Sequence, residues 1–464
     1  MLSISEGAGR YSRREWLRIG GLGLGAFTAS NVFSESAFAN LDRSVYRDRS
    51  VVFLFMAGGP SQIETFDPKM TAPAEIRSTT GEIPTKLSGI TFGSTFPKLA
   101  AMADRMTVVR SFTTGDGNHD IKPVVSKETQ KASLGAIYSR VAGSMNAERG
   151  IPSSVVLYPN SVDISKKNPP TGFGNFADPG TLGTANAPFV PGSGPMSENM
   201  TMRLSPSHFE NRRSLLSQLD RLRRDVDAKG DLTGMDKFQS QAHSTILSQV
   251  GAAFDLSKES AESVARYDTA PLLTPNQISR TWNNYEQYVT HGQTLGKLML
   301  LARRLVEAGS RFITINTAFV WDNHSDVNNA GVEEGMQYCG VPFDHAVSTF
   351  LADLRERGLS EKVLLVCCGE MGRVPRLNGR GGRDHWGSLA PLLLAGGGYE
   401  RGQVVGSSTR DAGEPATERI TQNDLITTIA GHVFNLPQLR LRPDVPPELM
   451  RILTTGNPIP GQKV

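Results

Sequence analysis

The chain has 464 residues, enough for one large domain with insertions or for two smaller ones. Its 49 Lys and Arg against 46 Asp and Glu leave a formal net charge of +3, and no basic, aromatic-interleaved block stands out, so nucleic acid is not an expected partner. The body holds no run of 18 apolar residues, so no stable membrane span is expected either.

Residues 12 to 27, SRREWLRIGGLGLGAF, pair Arg13 with Arg14 ahead of a short, glycine-rich apolar run. Ala37-Phe38-Ala39 then fits a small-x-small cleavage site. This is the pattern of a twin-arginine signal peptide over residues 1–39, which implies the twin-arginine export machinery as a partner and the periplasm or cell envelope as destination. Trp16 stands where phenylalanine is more usual in that motif.

Past the leader, the expectation is a single α/β domain over 45–464. RSVVFLFMAGG (49–59), MTVVRSFTT (106–114) and SSVVLYP (153–159) are apolar runs of buried-strand type, and SLGAIYSRVAG (133–143) has helical spacing. A loop-rich and helical insertion is expected over about 160–308. Its helices carry the stripes Leu215, Leu216, Leu219, Leu222, Val226 and Leu295, Leu298, Met299, Ala302, Leu305, Val306, the second closed by Gly309. SRFITINTAFVW (310–321), the helical PFDHAVSTFLADLRERG (342–358) and KVLLVCCG (362–369) then spell strand, helix, strand. That order predicts a mostly parallel central sheet with helices on both faces. LAPLLLAG is expected to return antiparallel. TERITQNDLITTIAGHVFNLP (417–437) reads as a capped helix packing Leu425, Ile429 and Val433 inward, with His432 structural. The three cysteines, Cys339, Cys367 and Cys368, read as buried apolar groups rather than a disulfide framework.

Ligands of such sheets gather beyond the carboxyl ends of the strands. Three apolar runs end in polar clusters, GDGNHD, WDNHSD and GEMGR. Asp322 and His324, two residues apart in an extended segment, share a side and suit one divalent cation. Glu370 ends the next strand, and the charged connection to LAPLLLAG is expected to stay at the same edge, bringing Asp384 and His385 near it. Arg373, Arg376, Arg380 and Arg383 lie on that connection, and an arginine there is suited to hold an anion. In GGPSQIETFD, Gly58 and Gly59 allow close backbone approach and Ser61 is a candidate nucleophile. The pattern is neither G-x-G-x-x-G nor a P-loop, so no nucleotide cofactor is expected. Asp116, His119 and Asp120 read more simply as turn or cap residues.

The segments SRREWL, FLFMAGGPSQIETFDPK, LARRLVEAGSRFITI, WDNHSD, FLADLRERGL and GEMGRVPRLNGRGGRDHWG together resemble an exported bacterial family catalogued as domain of unknown function 1501. The resemblance spans most of the chain after the leader. It implies an alkaline-phosphatase-like fold, shared with sulfatases and cofactor-independent phosphoglycerate mutases, and divalent ions at the carboxyl edge of the sheet. Within that pattern Asp322 and His324 match the D-and-H element and His385 matches the final histidine. The chain departs from it at Gly58 and Gly59, where an aspartate is expected, and at Glu370-Met371-Gly372, which stands in place of D-H-G. What remains is one ion (Zn, Mn, Mg or Ca) on Asp322, His324 and His385, with Glu370 or Asp384 helping.

These readings support an exported, metal-dependent hydrolase of phosphate or sulfate esters, with Ser61, Arg373 and Arg383 as catalytic candidates and an anionic ester as substrate. Two alternatives stay open: a secreted binding or assembly protein that keeps the fold without catalysis, and a phosphomutase-like isomerase.

Overall fold

Residues 50–55, SVVFLF, are apolar on both sides of the chain and rich in residues that fit a pleated surface. They form β1 (Ser50–Phe55), buried at every position. The computed structural model describes residues 45–146, 148–169, 171–192, 251–399 and 402–461. The N-terminal leader and the stripe from Leu215 to Val226 lie outside the described residues.

Six further strands complete the main sheet: β2 (Met106–Val109), β3 (Ser154–Leu157), β4 (Phe312–Asn316), β5 (Val363–Cys368), β6 (Leu392–Gly396) and β7 (Gln403–Val405). Their order is β7-β2-β6-β5-β1-β4-β3. β1 runs parallel to β4 and β5, β3 parallel to β4, and β7 parallel to β2. Only β6 runs against its neighbours β5 and β2, which is the direction expected for LAPLLLAG. The protein is therefore α/β, with a mostly parallel central sheet.

Alternation along β1 divides the core. Val52 and Leu54 join one apolar cluster with α2 (Tyr285–Ala308) and α3 (Val332–Glu356). Val51, Phe53 and Phe55 join the other, with α1 (Leu134–Ala142), α4 (Gln422–Val433) and α5 (Pro447–Thr454). Each such side chain, fully buried, stabilises the fold by roughly 1.5–3 kcal/mol. α2 stops at Gly309, which at φ 112° turns its N–H back onto Leu305 O and Val306 O.

α3 starts ten residues before the predicted boundary at Pro342. Proline suits a first helical turn, which drew the boundary there, but Pro342 lies inside the helix. The preceding Val332, Met336 and Cys339 face the apolar cluster that includes α2. An internal proline weakens the carbonyl bonds one turn upstream. His291 of α2 meets Cys339 O, in the turn before Pro342, through Nε2 at 3.2 Å.

Register explains where function can sit. Phe55, the last residue of β1, lies opposite Asn316 and Cys368, the last residues of β4 and β5. Across β6, Leu392 pairs with both Cys368 and Val109, the last residue of β2. Four parallel strands thus end level, and their exit segments share one rim.

Candidate metal centre

Each exit segment brings one component to that rim. From β4, Val320 N and Trp321 N donate to Ala57 O at 3.2 and 3.1 Å, pinning the backbone just before Asp322 to the exit of β1. The approach is so close that a Cβ on Gly58, at φ 113°, would lie 2.6 Å from Asp322 N, so only glycine fits. The segment after β2 wraps around the buried Lys122, whose Nζ donates to Asp116 Oδ1, Asn118 O and Asp120 Oδ2 at 2.9–3.0 Å. This latch sets His119. Gly115 N donates to Gly387 O at 3.0 Å, joining the same loop to the segment carrying His385. His385 itself pairs with Arg373 in a two-residue antiparallel ladder within the charged connection.

The result is a cluster of His119, Asp322, His324 and His385, one ligand atom from each lying within 4.8 Å of the others. Asp322 Oδ1 is its base. His324 Nε2 lies 2.8 Å from it, His385 Nε2 3.2 Å and His119 Nε2 3.4 Å. His324 Nε2 and His385 Nε2 face each other at 3.1 Å. His119 Nε2 is buried yet makes no hydrogen bond. The exposed fraction of the side chains rises from 6% for Asp322 to 29% for His385, so the cluster opens on the His385 side.

These atoms fit a divalent ion. Donors bound at about 2.1 Å in a tetrahedral shell stand about 3.4 Å from one another. The three separations from Asp322 Oδ1 and the one between His324 and His385, 2.8 to 3.4 Å, approach that spacing, and all four atoms lie within 4.8 Å of one another. Three imidazole nitrogens and one carboxylate oxygen suit zinc, manganese or iron better than calcium. Burial alone would raise the Asp322 carboxyl, but the Arg373 guanidinium and the three imidazoles hold it well below the usual carboxylate range. Burial works against charge on His119, and the two carboxylates that face it, Asp322 and Glu370, outweigh it, lifting the imidazole to about 9. An ion bound at His119 Nε2 takes the place of that proton.

The residues proposed from sequence separate into three groups. Asp322, His324 and His385 come together in the cluster. Glu370 stands behind it: Oε1 meets His119 Nδ1 at 2.9 Å and accepts Gly58 N at 2.9 Å, so it orients an imidazole instead of joining the four. Asp384 points outward, 61% exposed, with Oδ1 3.7 Å from His324 Nδ1. Adjacent residues in an extended ladder face opposite ways, and here His385 takes the inner side.

The three catalytic candidates are engaged in structure. Ser61 is buried and caps the one-turn helix Gln62–Thr65, its Oγ accepting Glu64 N at 3.3 Å. Arg383 is fully buried against Glu64, Nη2 to Oε1 at 2.9 Å. Arg373, 1% exposed, donates to Gly59 O at 2.7 Å, Arg383 O at 3.2 Å and Asp322 Oδ1 at 2.6 Å, and also to Gly58 O. None of them extends a free donor or nucleophile to solvent. The candidate ligand that the sequence reading passed over is His119. Its signal was present in GDGNHD, a polar cluster ending an apolar run like the other two.

A family model described as "Protein of unknown function (DUF1501)" matches residues 48–438. The chain belongs to the DUF1501 family. No curated protein matches it in sequence. Among solved structures, this family member is similar to the phosphonate monoester hydrolase SpPMH from Silicibacter pomeroyi, at 13% identity over 83% of this chain and 73% of that one, TM-score 0.31. It is similar to the PsFucS1 sulfatase from Pseudoalteromonas sp., at 13% identity over 79% and 66%, TM-score 0.30. It is also similar to the lipoteichoic acid synthase LtaP from Listeria monocytogenes, at 8% identity over 77% and 68%, TM-score 0.31. Likeness this distant leaves the chemistry to be argued from the cluster itself.

Proposed function

We propose that this protein is an exported, metal-dependent hydrolase of phosphate or sulfate esters. The observation that carries the reading is the convergence of three imidazoles and one carboxylate at the level ends of four parallel strands. His119, Asp322, His324 and His385 would hold the ion. Bound there, a divalent ion supplies a Lewis acid for an ester oxygen and acidifies a water molecule. Asp322 fixes the base of the site through its bonds to Arg373 and to Asn329 Nδ2, the latter at 3.0 Å. Glu370 keeps His119 turned so that Nε2 faces the centre. Ser61 is held as a helix cap, so the attacking oxygen comes from water and the outcome is hydrolysis rather than transfer within the substrate. Export rests on the SRREWL leader, and no described helix is long and apolar enough to cross a membrane.

Mature protein loaded with Zn or Mn should turn over members of a panel of aryl phosphates and aryl sulfates. His385→Ala should lose that activity by more than about 100-fold, beyond what losing an orienting partner costs. Absence of turnover in every loaded form, or turnover indifferent to His385→Ala, refutes the hydrolase.

A binding protein of the same fold is the second reading. It is favoured by one observation: neither Arg373 nor Arg383 has a donor directed at a substrate. Stoichiometric ion uptake without turnover would select it.

A further inference from the structure

Arg373 is an unusual occupant for the floor of a cation site. Its guanidinium lies among oxygens: Gly58 O, Gly59 O at 2.7 Å, Trp321 O at 3.4 Å, Arg383 O at 3.2 Å and Asp322 Oδ1 at 2.6 Å. Backbone carbonyls plus a carboxylate are the donor set that hard divalent cations take. The chain thus builds an oxygen-lined cation position and fills it with its own side chain. That position shares one atom, Asp322 Oδ1, with the imidazole cluster.

We propose that Arg373 is a resident cation of the metal centre, which therefore takes one divalent ion and no second. The inference rests on the metal reading above and concerns only how many ions the centre accepts. Charge supports it. Asp322 and Glu370 contribute two negative charges, Arg373 one positive, and neutral imidazoles none. With one divalent ion bound the group stands at +1, which favours an anionic ligand at the open side. A second divalent ion would lie against a guanidinium with no carboxylate left to balance it. Buried arginine is suited to the task because it stays charged without water and its fork matches several oxygens at once.

The test is ion counting on the full mature chain by native mass spectrometry, with Mn(II) electron paramagnetic resonance on the same samples. The wild type should bind one Mn per chain at saturation and give the signal of an isolated ion. Arg373→Ala should take up a second ion, as Mn or Ca, and added guanidinium should compete that ion away. Arg373→Lys, which keeps the charge, should stay at one. Two ions in the wild type, with the signal of a coupled pair, overturn this inference and leave the metal reading standing. A folded Arg373→Ala that still takes one ion also overturns it. No ion in the wild type overturns the metal reading itself. Should Arg373→Ala fail to fold, the wild-type count and the lysine variant decide.

Discussion

The charged connection sends Arg383 to the buried Glu64 and His385 to the buried Asp322, and the two meetings are finished differently. Arg383 and Glu64 are both fully buried. Arg383 donates to Glu64 Oε1, to Ile76 O at 2.9 Å and to Arg77 O at 3.0 Å, while Glu64 also accepts Ser78 Oγ at 2.6 Å and Thr79 N at 3.3 Å. That pair closes on itself. Around Asp322 Oδ1, by contrast, three Nε2 atoms face one oxygen and each other, and His119 Nε2 bonds to nothing. A structural ion pair uses its hydrogen-bonding capacity internally, whereas a binding site holds lone pairs in reserve. The difference separates arginine as scaffold from histidine as candidate ligand.

The largest effect expected from breaking this comparison is on stability. Glu64→Ala leaves a guanidinium buried without its carboxylate and should cost about 3–5 kcal/mol. Urea unfolding measures the loss, and ion uptake by the folded fraction should remain at the wild-type level. His324→Ala should do the reverse, with a small change in the ion-free protein and a loss of uptake. Equal destabilisation by both would erase the distinction.

The histidines sharpen it further. His291 and His432 each engage one backbone carbonyl, Cys339 O at 3.2 Å and Ser50 O at 3.0 Å. Burial pushes His291 down to about 4, and burial aided by Arg49 does the same for His432. Their folded values lie below the ordinary 6.5. Between the two values the unfolded chain binds more protons, so their contribution is complete above 6.5 and is lost as pH falls through about 4. Each is worth on the order of 3 kcal/mol. The urea midpoint should fall between pH 7 and pH 4.5, and His291→Gln with His432→Gln should flatten that slope. An unchanged slope would place the acid-sensitive groups elsewhere.

Much of this architecture was legible because it rests on short-range pattern. Continuous apolar runs marked the strands, and Gly309 marked a helix end. Asp322, His324 and His385 stood out as acid and imidazole beside strand ends. What sequence could not supply was direction. Whether Glu370 reaches the ion or the imidazole behind it depends on a backbone bond to Gly58, 312 residues away. Whether His119 caps a turn or faces Asp322 depends on Lys122 folding the loop around its ammonium group. The arginines misled for the same reason: charge in a glycine-rich connection suggests solvent or substrate, but Arg373 and Arg383 fold inward onto carbonyl groups.

Ion binding offers a finer test. Zn or Mn at 100 times its dissociation constant should stabilise the wild type by about 2.7 kcal/mol. His119→Ala should lose most of that gain, which a thermal-shift titration detects. A full gain in His119→Ala would return His119 to a turn residue.

The smallest effect expected is the most discriminating for the charged connection. Asp384 was a ligand candidate on its position beside His385, yet it is 61% exposed and its Oδ1 stands 3.7 Å from His324 Nδ1. It also accepts Asn378 Nδ2 at 3.1 Å, which holds it over the outer edge of the imidazole. An exposed pair of this kind is worth about 0–1 kcal/mol, so Asp384→Asn should weaken ion affinity by less than about fivefold. The amide preserves the acceptor toward Asn378, so the loop keeps its shape and any change reports charge at His324. A loss beyond about tenfold would show that Asp384 turns inward to join the ion, and the centre would then carry one more negative charge than its four converging ligands supply.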